Sequence, residues 1–376
     1  MIRVTEAISD TNIGGAGILL LNRLKHTDAK KFKTTVILPK GSILLEKLKK
    51  IGVKTIEING CRDRSFDLLA IFEYFSLLKK LRPDVINSHG SLSFRIAARM
   101  VGVPVKLYTR HCVYPIENNN AFLRMLRGAL SNVLSDRIIA VAYAAKENLI
   151  CLGIDKNKIS VIINGAEKIR VLSEKEKREL REAYGISPEQ KTVTIFARLE
   201  ECKDHICFLR AAKLLSEHSD KYRFFIVGGG SLENKLIEYA KKSGLESKVI
   251  FTGYVDDVAP FFNITDVNVN CSIGTETSSL ALSEGMSIGV PSVVSDYGGN
   301  PYMVRCGVNG YLYKAGDFKD LAKKIRKIAT SDKEEYARLC FESKKRFEQE
   351  LNAEKMSRST QDLYMKLYKE KMKPKR

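Results

Sequence analysis

The feature that most constrains this chain is an alternation of short apolar segments with helical patterns, run through twice. In the first pass strands are expected near Ile2–Ile8, Thr34–Leu38, Lys54–Ile58, Asp84–Ser88, Val105–Thr109, Arg137–Val141 and Ile159–Ile163. After a charged helical stretch at Ser173–Tyr184 they recur near Thr192–Ala197, Arg223–Val227, Val249–Thr252, Val267–Cys271, Pro291–Ser295 and Gly310–Tyr313. Strands separated by helices pair in parallel, because each crossover helix must cover a sheet face. The expected architecture is therefore α/β, with two Rossmann-like, doubly wound parallel-sheet domains facing a central cleft. A length of 376 residues suits that division, being too long for one ordinary core. The expected parts are an N-terminal domain at 1–168, a second domain at 169–352, and a terminal helical segment at 353–376 packing back on the first domain. In such sheets ligands bind beyond the carboxyl ends of the strands. Function is to be sought there.

Several classes of protein are disfavoured. No apolar run approaches the roughly 20 residues a membrane-spanning helix needs, and the N-terminus reads as a strand, so a cytoplasmic protein is expected. The eight cysteines are scattered with no Cys-x-x-Cys pair, which indicates neither a zinc site nor a disulfide framework. The net charge of +19 is uneven, with an excess of +14 in residues 1–170 and +5 in the remainder. That asymmetry points to an anionic partner for the first half, or else to a solvated basic face. A membrane surface fits better than nucleic acid, since no recognition module and no aromatic-basic interleaving is present.

Candidate binding residues sit at strand ends. Gly14-Gly15-Ala16-Gly17 follows the first strand and opens a helix, where backbone amides can meet a phosphate or merely make a tight turn. It departs from Gly-x-Gly-x-x-Gly and no acidic residue ends the second strand, which disfavours a nicotinamide dinucleotide. Gly228-Gly229-Gly230 forms a similar turn in the second half. Arg198 and Lys203 follow the strand Thr192–Ala197, placing two cations where a diphosphate could be clamped. His89 and His111 end the strands Asp84–Ser88 and Val105–Thr109, though a core or capping histidine has the same appearance. Asp256-Asp257 lacks the spacing of a metal-binding Asp-x-Asp and reads as a helix cap. No metal is expected.

Residues 274–301 read as loop, helix, strand and glycine loop. Ser278 and Ser279 are N-cap candidates, Leu280, Leu282, Met286 and Ile288 give an apolar stripe, and Gly289 and Pro291 stop the helix. Glu276 stands ahead of the helix and Glu284 in its second turn. Spacing alone suggests that both carboxylates face one pocket.

Glu276 and Glu284, with Gly289-Val-Pro-Ser-Val-Val-Ser-Asp-Tyr-Gly-Gly after them, resemble the retaining glycosyltransferases of family 4, which have the GT-B fold. Supporting stretches follow in the family's order across nearly the whole chain: Gly14–Gly17, Asn87-Ser-His89-Gly90, Tyr108-Thr-Arg-His111, Val161-Ile-Ile-Asn164-Gly165, Ala197-Arg198-Leu199 with Lys203, Val227-Gly-Gly-Gly230 and Phe251-Thr-Gly253. The resemblance implies an enzyme that moves a sugar from a nucleotide-diphosphate sugar, UDP-linked, to a hydroxyl acceptor with retained configuration. It implies no metal, and no cofactor beyond that co-substrate. By the same resemblance Arg198 and Lys203 hold the diphosphate and Glu284 binds the ribose. Glu276 lies by the sugar with the amides of Ser278, Ser279 and Leu280, Gly229 lies in the donor loop, and Gly15, Ala16 and Gly17 approach the phosphates or sugar. His111 meets the sugar's 6-hydroxyl region. Thr277-Ser278 and Gly285 depart from the family's common residues, Gly/Ser-Phe after the first glutamate and alanine after the second. The acceptor is expected to be a glycolipid or polysaccharide at the cell surface, reached from the inner membrane face. The alternatives are a nucleotide-sugar epimerase of the same architecture and a non-catalytic binder of anionic polymers.

Overall fold

A computed structural model describes residues 1–12, 14–113, 121–217 and 219–373. The chain divides into two compact units, Met1–Ala166 with Ala353–Arg376, and Glu167–Asn352.

The first unit is built on seven parallel strands, β1 (Ile2–Ile8), β2 (Phe32–Pro39), β3 (Lys54–Ile58), β4 (Val85–His89), β5 (Val105–Arg110), β6 (Arg137–Ala140) and β7 (Ile159–Val161), in the order β3-β2-β1-β4-β5-β6-β7. Helices cover both faces, which is why its strands read as apolar runs rather than as alternations. Ala7, Ile37 and Ile86 pack with Tyr74 and Phe94 in one cluster, and Ile8, Val36 and Leu38 pack with Leu20 and Leu24 in another. The winding direction reverses between β1 and β4, whose register pairs Glu6 with Asn87 and Ile8 with His89. The helix Ala353–Met372 belongs to this unit. Its Ser357 hydroxyl donates to the Arg23 carbonyl at 2.8 Å, and Tyr364 meets Phe32 edge-on with ring centroids 6.4 Å apart.

The second unit carries six parallel strands, β8 (Lys191–Phe196), β9 (Tyr222–Val227), β10 (Val249–Gly253), β11 (Val267–Asn270), β12 (Ser292–Ser295) and β13 (Gly310–Tyr313), in the order β10-β9-β8-β11-β12-β13. Its reversal falls between β8 and β11. The expected charged helix runs Glu174–Ala183 behind a complete capping box: Ser173 accepts from the Glu176 amide at 3.3 Å, and Glu176 accepts from the Ser173 amide at 2.7 Å. Asp257 accepts from the Ala259 amide at 3.0 Å just ahead of the short helix Ala259–Asn263, whose N-cap position is Val258. All thirteen strands expected from the sequence are present, with β2 starting two residues earlier, at Phe32.

One pair of glycines locks the loop ahead of the Leu280–Ser287 helix. A Cβ on Gly298 would lie 2.2 Å from the Glu276 carbonyl oxygen, and one on Gly299 would lie 1.6 Å from that of Thr277. Only hydrogen at Cα permits that approach, and the Gly299 amide uses it to donate to the Glu276 carbonyl at 3.3 Å. Gly299→Ala is expected to lower stability by at least about 2 kcal/mol, since backbone cannot yield as a side chain does. Gly14→Ala, where a Cβ meets nothing within 4 Å, serves as the control and is expected to shift it by less than about 1 kcal/mol. Urea unfolding of both variants checks this.

Candidate active site

In the second unit the site begins where β8 ends. The loop Gly228–Gly230 is stitched to the segment after that strand: the Leu199 amide donates to the Gly229 carbonyl at 3.0 Å, and the Leu232 amide donates to the Leu199 carbonyl at 3.0 Å. A Cβ on Gly228 would fall 2.2 Å from the Ala197 oxygen and one on Gly230 2.6 Å from the Leu199 backbone, so both glycines are demanded by this contact. Gly229 is not, since its Cβ would meet Tyr254 at an ordinary 3.5 Å. The clamp holds out Arg198, whose guanidinium is exposed and hydrogen-bonded to no described residue.

Lys203 closes the short turn Glu201–Lys203, and the amide of Ile273 ties the loop after β11 to that turn by donating to the Cys202 carbonyl at 3.0 Å. The Lys203 ammonium thereby reaches Glu276, donating to Oε2 at 2.7 Å, with Ser272 Oγ donating to the same oxygen at 2.8 Å and Asn270 Nδ2 at 3.2 Å. Glu276 is only 5% exposed. Burial pushes its carboxyl up, but the Lys203 charge and these three hydrogen bonds outweigh burial and hold it below the usual carboxylate range. No donor among the described residues reaches Oε1. The pair is thus a fixed carboxylate with one oxygen uncommitted.

The helix Leu280–Ser287 starts beside this group. Ser279 is its N-cap, accepting from the Leu282 amide at 3.4 Å. Of the two cap candidates, Ser278 instead turns its hydroxyl to the Met303 sulfur at 3.9 Å. The amides of Ser279 and Leu280 lie before any intrahelical acceptor, at the positive end of the helix dipole. Glu284 is half-buried, and burial without a cation pushes its carboxyl up to about 7. Spacing suggested that both carboxylates face one pocket. The structure separates them, one charged and paired, the other titrating near neutrality. Gly285 also has a local reason: a Cβ there would press on Phe262 at 3.1 Å and Asn268 at 3.0 Å.

In the first unit Gly14 and Gly15 are exposed at the start of the helix Gly15–Lys25, with open space where their side chains would be, while Gly17 is buried beneath Leu44. The Ala16 position between them is half-buried. At the carboxyl ends of β4 and β5, His89 Nδ1 and His111 Nε2 are 2.8 Å apart, and His89 Nε2 is 2.9 Å from Glu6 Oε2. Sequence reasoning noted each histidine singly and missed Glu6, which is fully buried against Arg23. It also missed Asn270 and Ser272. The available signals were a carboxylate inside an otherwise apolar strand, and small polar residues at the end of another. No cluster of three or more His, Cys, Asp or Glu side chains arranged for a metal occurs among the described residues.

Comparison with known proteins covers both halves. The family described as Glycosyltransferase Family 4 matches residues 13–170, and the family described as Glycosyl transferases group 1 matches residues 176–346. The chain is 29% identical over 73% of its length, and 73% of the relative's, to the UDP-Gal:alpha-D-GlcNAc-diphosphoundecaprenol alpha-1,3-galactosyltransferase of Escherichia coli. It is 24% identical, over 84% of its length and 74% of the relative's, to alpha-monoglucosyldiacylglycerol synthase of Streptococcus pneumoniae. Among solved structures, HepE of Anabaena in complex with UDP and glucose superposes with a TM-score of 0.84 at 18% identity, covering 97% of this chain and all of that one. That likeness establishes a shared GT-B architecture.

The raised carboxyl of Glu284 has a signed consequence. A folded-state value of about 7 against an ordinary 4.5 means that the folded protein binds the proton more tightly. The stability this confers is complete below the unfolded value and is lost as pH rises through about 7. Glu284→Gln, which cannot ionise, is expected to match the wild type near pH 4 and to melt at a higher temperature at pH 8. Thermal melts across that range check it.

Proposed function

Because the chain belongs to the family 4 glycosyltransferases, we propose that it transfers a sugar from a uridine-diphosphate sugar to a hydroxyl of a lipid-linked glycan or polysaccharide, with retention of configuration. The observation that carries the reading is the Lys203–Glu276 pair set at a helix start, close in sequence to the exposed Arg198. A relative that uses UDP-galactose and a diphosphoundecaprenol-linked acceptor, and a structural neighbour that holds UDP, support the donor and acceptor classes.

In this reading the bond between the anomeric carbon and the diphosphate oxygen breaks, and its electron pair leaves with the diphosphate. Negative charge builds there, and Arg198, Lys203 and the amides of Ser278, Ser279 and Leu280 stabilise it where it forms. The acceptor oxygen attacks from the face being vacated, and its proton passes to the departing phosphate oxygen. Glu276 Oε1 accepts from a sugar hydroxyl, and its negative charge favours the positive charge that grows on the ring. Glu284 accepts from the ribose hydroxyls, and Gly229 allows the nucleotide close to the backbone. Two side-chain cations and a helix dipole meet the charge of the leaving group, so the reading calls for neither a metal nor a cofactor.

The acceptor class brings the protein to an anionic lipid surface. Among the described residues no helix is long and apolar enough to cross a membrane. The first 170 residues carry the basic excess, and Phe66, Leu68, Leu69 and Phe72 are exposed beside exposed Arg62 and Arg64. Apolar insertion with cationic attraction suits a peripheral contact.

Two measurements test these statements. Arg198→Ala, Lys203→Ala and Glu276→Ala are each expected to reduce sugar transfer on the order of 10²–10³-fold, assayed by product formation from a panel of nucleotide sugars. Unchanged turnover in all three would remove the site assignment, and conversion of the donor without any acceptor would mark an epimerase. In vesicle flotation the protein is expected to rise with phosphatidylglycerol vesicles and to be released by salt, with Leu69→Glu weakening the association several-fold. Absence from anionic vesicles at low salt counts against the membrane contact.

A further inference from the structure

We infer that Asn300 is a positioning residue for Glu276: its side-chain amide, acting through Asn270 on one side and through Ser295 and Ser272 on the other, fixes the carboxylate that holds the sugar. The inference rests on that proposed role of Glu276, and every residue in it belongs to the second unit.

Asn300 follows directly on Gly298 and Gly299, opens the short helix Asn300–Met303, and is fully buried. The residues between it and Glu276 are buried too, Asn270 at 8% exposure being the most open. Two backbone groups decide where every proton in the cluster lies. The Ser272 amide can only donate, so the atom it meets on Asn270 at 3.0 Å is Oδ1. Asn270 therefore turns Nδ2 to Glu276 Oε2, at 3.2 Å. The Ser272 carbonyl can only accept, so Ser295 Oγ directs its one proton there, at 2.6 Å. Asn300 is left facing two groups with lone pairs and no proton to offer, Asn270 Oδ1 at 3.3 Å and Ser295 Oγ at 3.0 Å. One atom, Nδ2, meets both and carries the two protons required.

The oxygen of the same side chain shows what the residue is for. Asn300 Oδ1 is buried and accepts from no described residue. An acceptor withdrawn from water without a donor costs stability, and a side chain that only filled space would not incur that cost. Asn300 keeps the unpaired oxygen and uses both protons. Its two arms end on two of the three donors to Glu276 Oε2. One is Asn270 Nδ2, and the other is Ser272, whose carbonyl is held while its hydroxyl donates at 2.8 Å. The third donor, Lys203, is tied in as well, since its ammonium also donates to Ser272 Oγ at 3.2 Å. The Gly299 amide meanwhile donates to the Glu276 carbonyl at 3.3 Å. Two neighbours in the chain thus hold the backbone and the side chain of one glutamate. Without the Asn300 protons the Asn270 amide is free to turn, and Glu276 Oε1 loses its fixed direction. Recognition of the sugar then suffers, while UDP alone, which has no sugar for Oε1, binds as before.

The test compares wild type with Asn300→Ala, Glu276→Ala and the double variant. Asn300→Ala is expected to lower kcat/KM for the nucleotide sugar by about tenfold while the Kd of UDP stays within about twofold. In the Glu276→Ala background the same change is expected to cost less than about twofold, since no carboxylate is left to position. A loss as large in that background as in wild type would reduce Asn300 to packing and overturn the inference, and so would equal weakening of UDP and nucleotide sugar. A readout independent of turnover is the titration of Glu276 in ligand-free protein carrying ¹³C at glutamate Cδ, its signal identified by its absence from Glu276→Ala. Asn300→Ala is expected to move that titration to higher pH, because hydrogen bonds that favour the charged form are weakened. An unmoved titration would overturn the inference. Asn300→Ser, which keeps one donor, takes the place of the alanine variant if that fails to fold, and is expected to show both effects at smaller size under the same criteria. A moved titration in a protein that turns over no nucleotide sugar would uphold the positioning role and defeat the transferase reading instead.

Discussion

A carboxylate withdrawn from water has to be matched, and the second unit is arranged around matching Glu276. The Lys203 ammonium, the Ser272 hydroxyl and the Asn270 amide converge on one oxygen. Each is supplied by a different structural necessity. Lys203 stands on a turn tied to the loop after β11, Asn270 ends that strand, and Gly298 and Gly299 let the neighbouring loop press on the Glu276–Thr277 backbone. Asn270 is itself held, accepting from Asn300 Nδ2 at 3.3 Å and from the Ser272 amide at 3.0 Å. These bonds gather on one oxygen of Glu276 and leave Oε1 without a donor among the described residues, so the charge and orientation of the carboxylate are set before any ligand arrives.

The first unit solves the same problem with different partners. Glu6 is buried on the strand next to the winding reversal, as Glu276 follows the strand at the reversal in its own sheet. There the matching cation is Arg23, and the spare hydrogen-bonding capacity runs outward through His89 to His111. In both units, then, an interior carboxylate at the reversal point of a parallel sheet orders a polar chain that ends at the strands' carboxyl edge, where such sheets bind ligands. The folding cost of burying charge is offset by arginine or lysine, and the return is a rigid, oriented polar group.

Much of the fold was legible because parallel sheets covered on both faces leave a coarse signature: apolar runs at regular intervals, with glycine at the turns. Strand positions followed from that pattern to within a few residues, whereas the order of the strands in each sheet came from the structure. Glu276, Glu284, Arg198 and Lys203 were legible as individuals through family resemblance. Their relations were not. The contact between Lys203 and Glu276 spans 73 positions and exists only once β8 and β11 are adjacent. Glu6 shows the limit most clearly, since Ile-Arg-Val-Thr-Glu-Ala-Ile reads as a strand whether its glutamate faces solvent or Arg23, and Tyr364, which bonds to it, is 358 positions away. The unequal titration of Glu284 likewise comes from burial alone, which no spacing encodes.

The central claim is that the second unit is a platform for a nucleotide sugar, built before the ligand binds. The most direct measurement is the melting temperature of the wild-type protein against increasing uridine-, guanosine- and adenosine-diphosphate sugars. A ligand that binds only the folded state adds about 2.7 kcal/mol at a hundred times its Kd. The account predicts a rise that grows with the concentration of a uridine-diphosphate sugar and exceeds that given by the other bases. A melting temperature that no nucleotide sugar moves at millimolar concentration would contradict it.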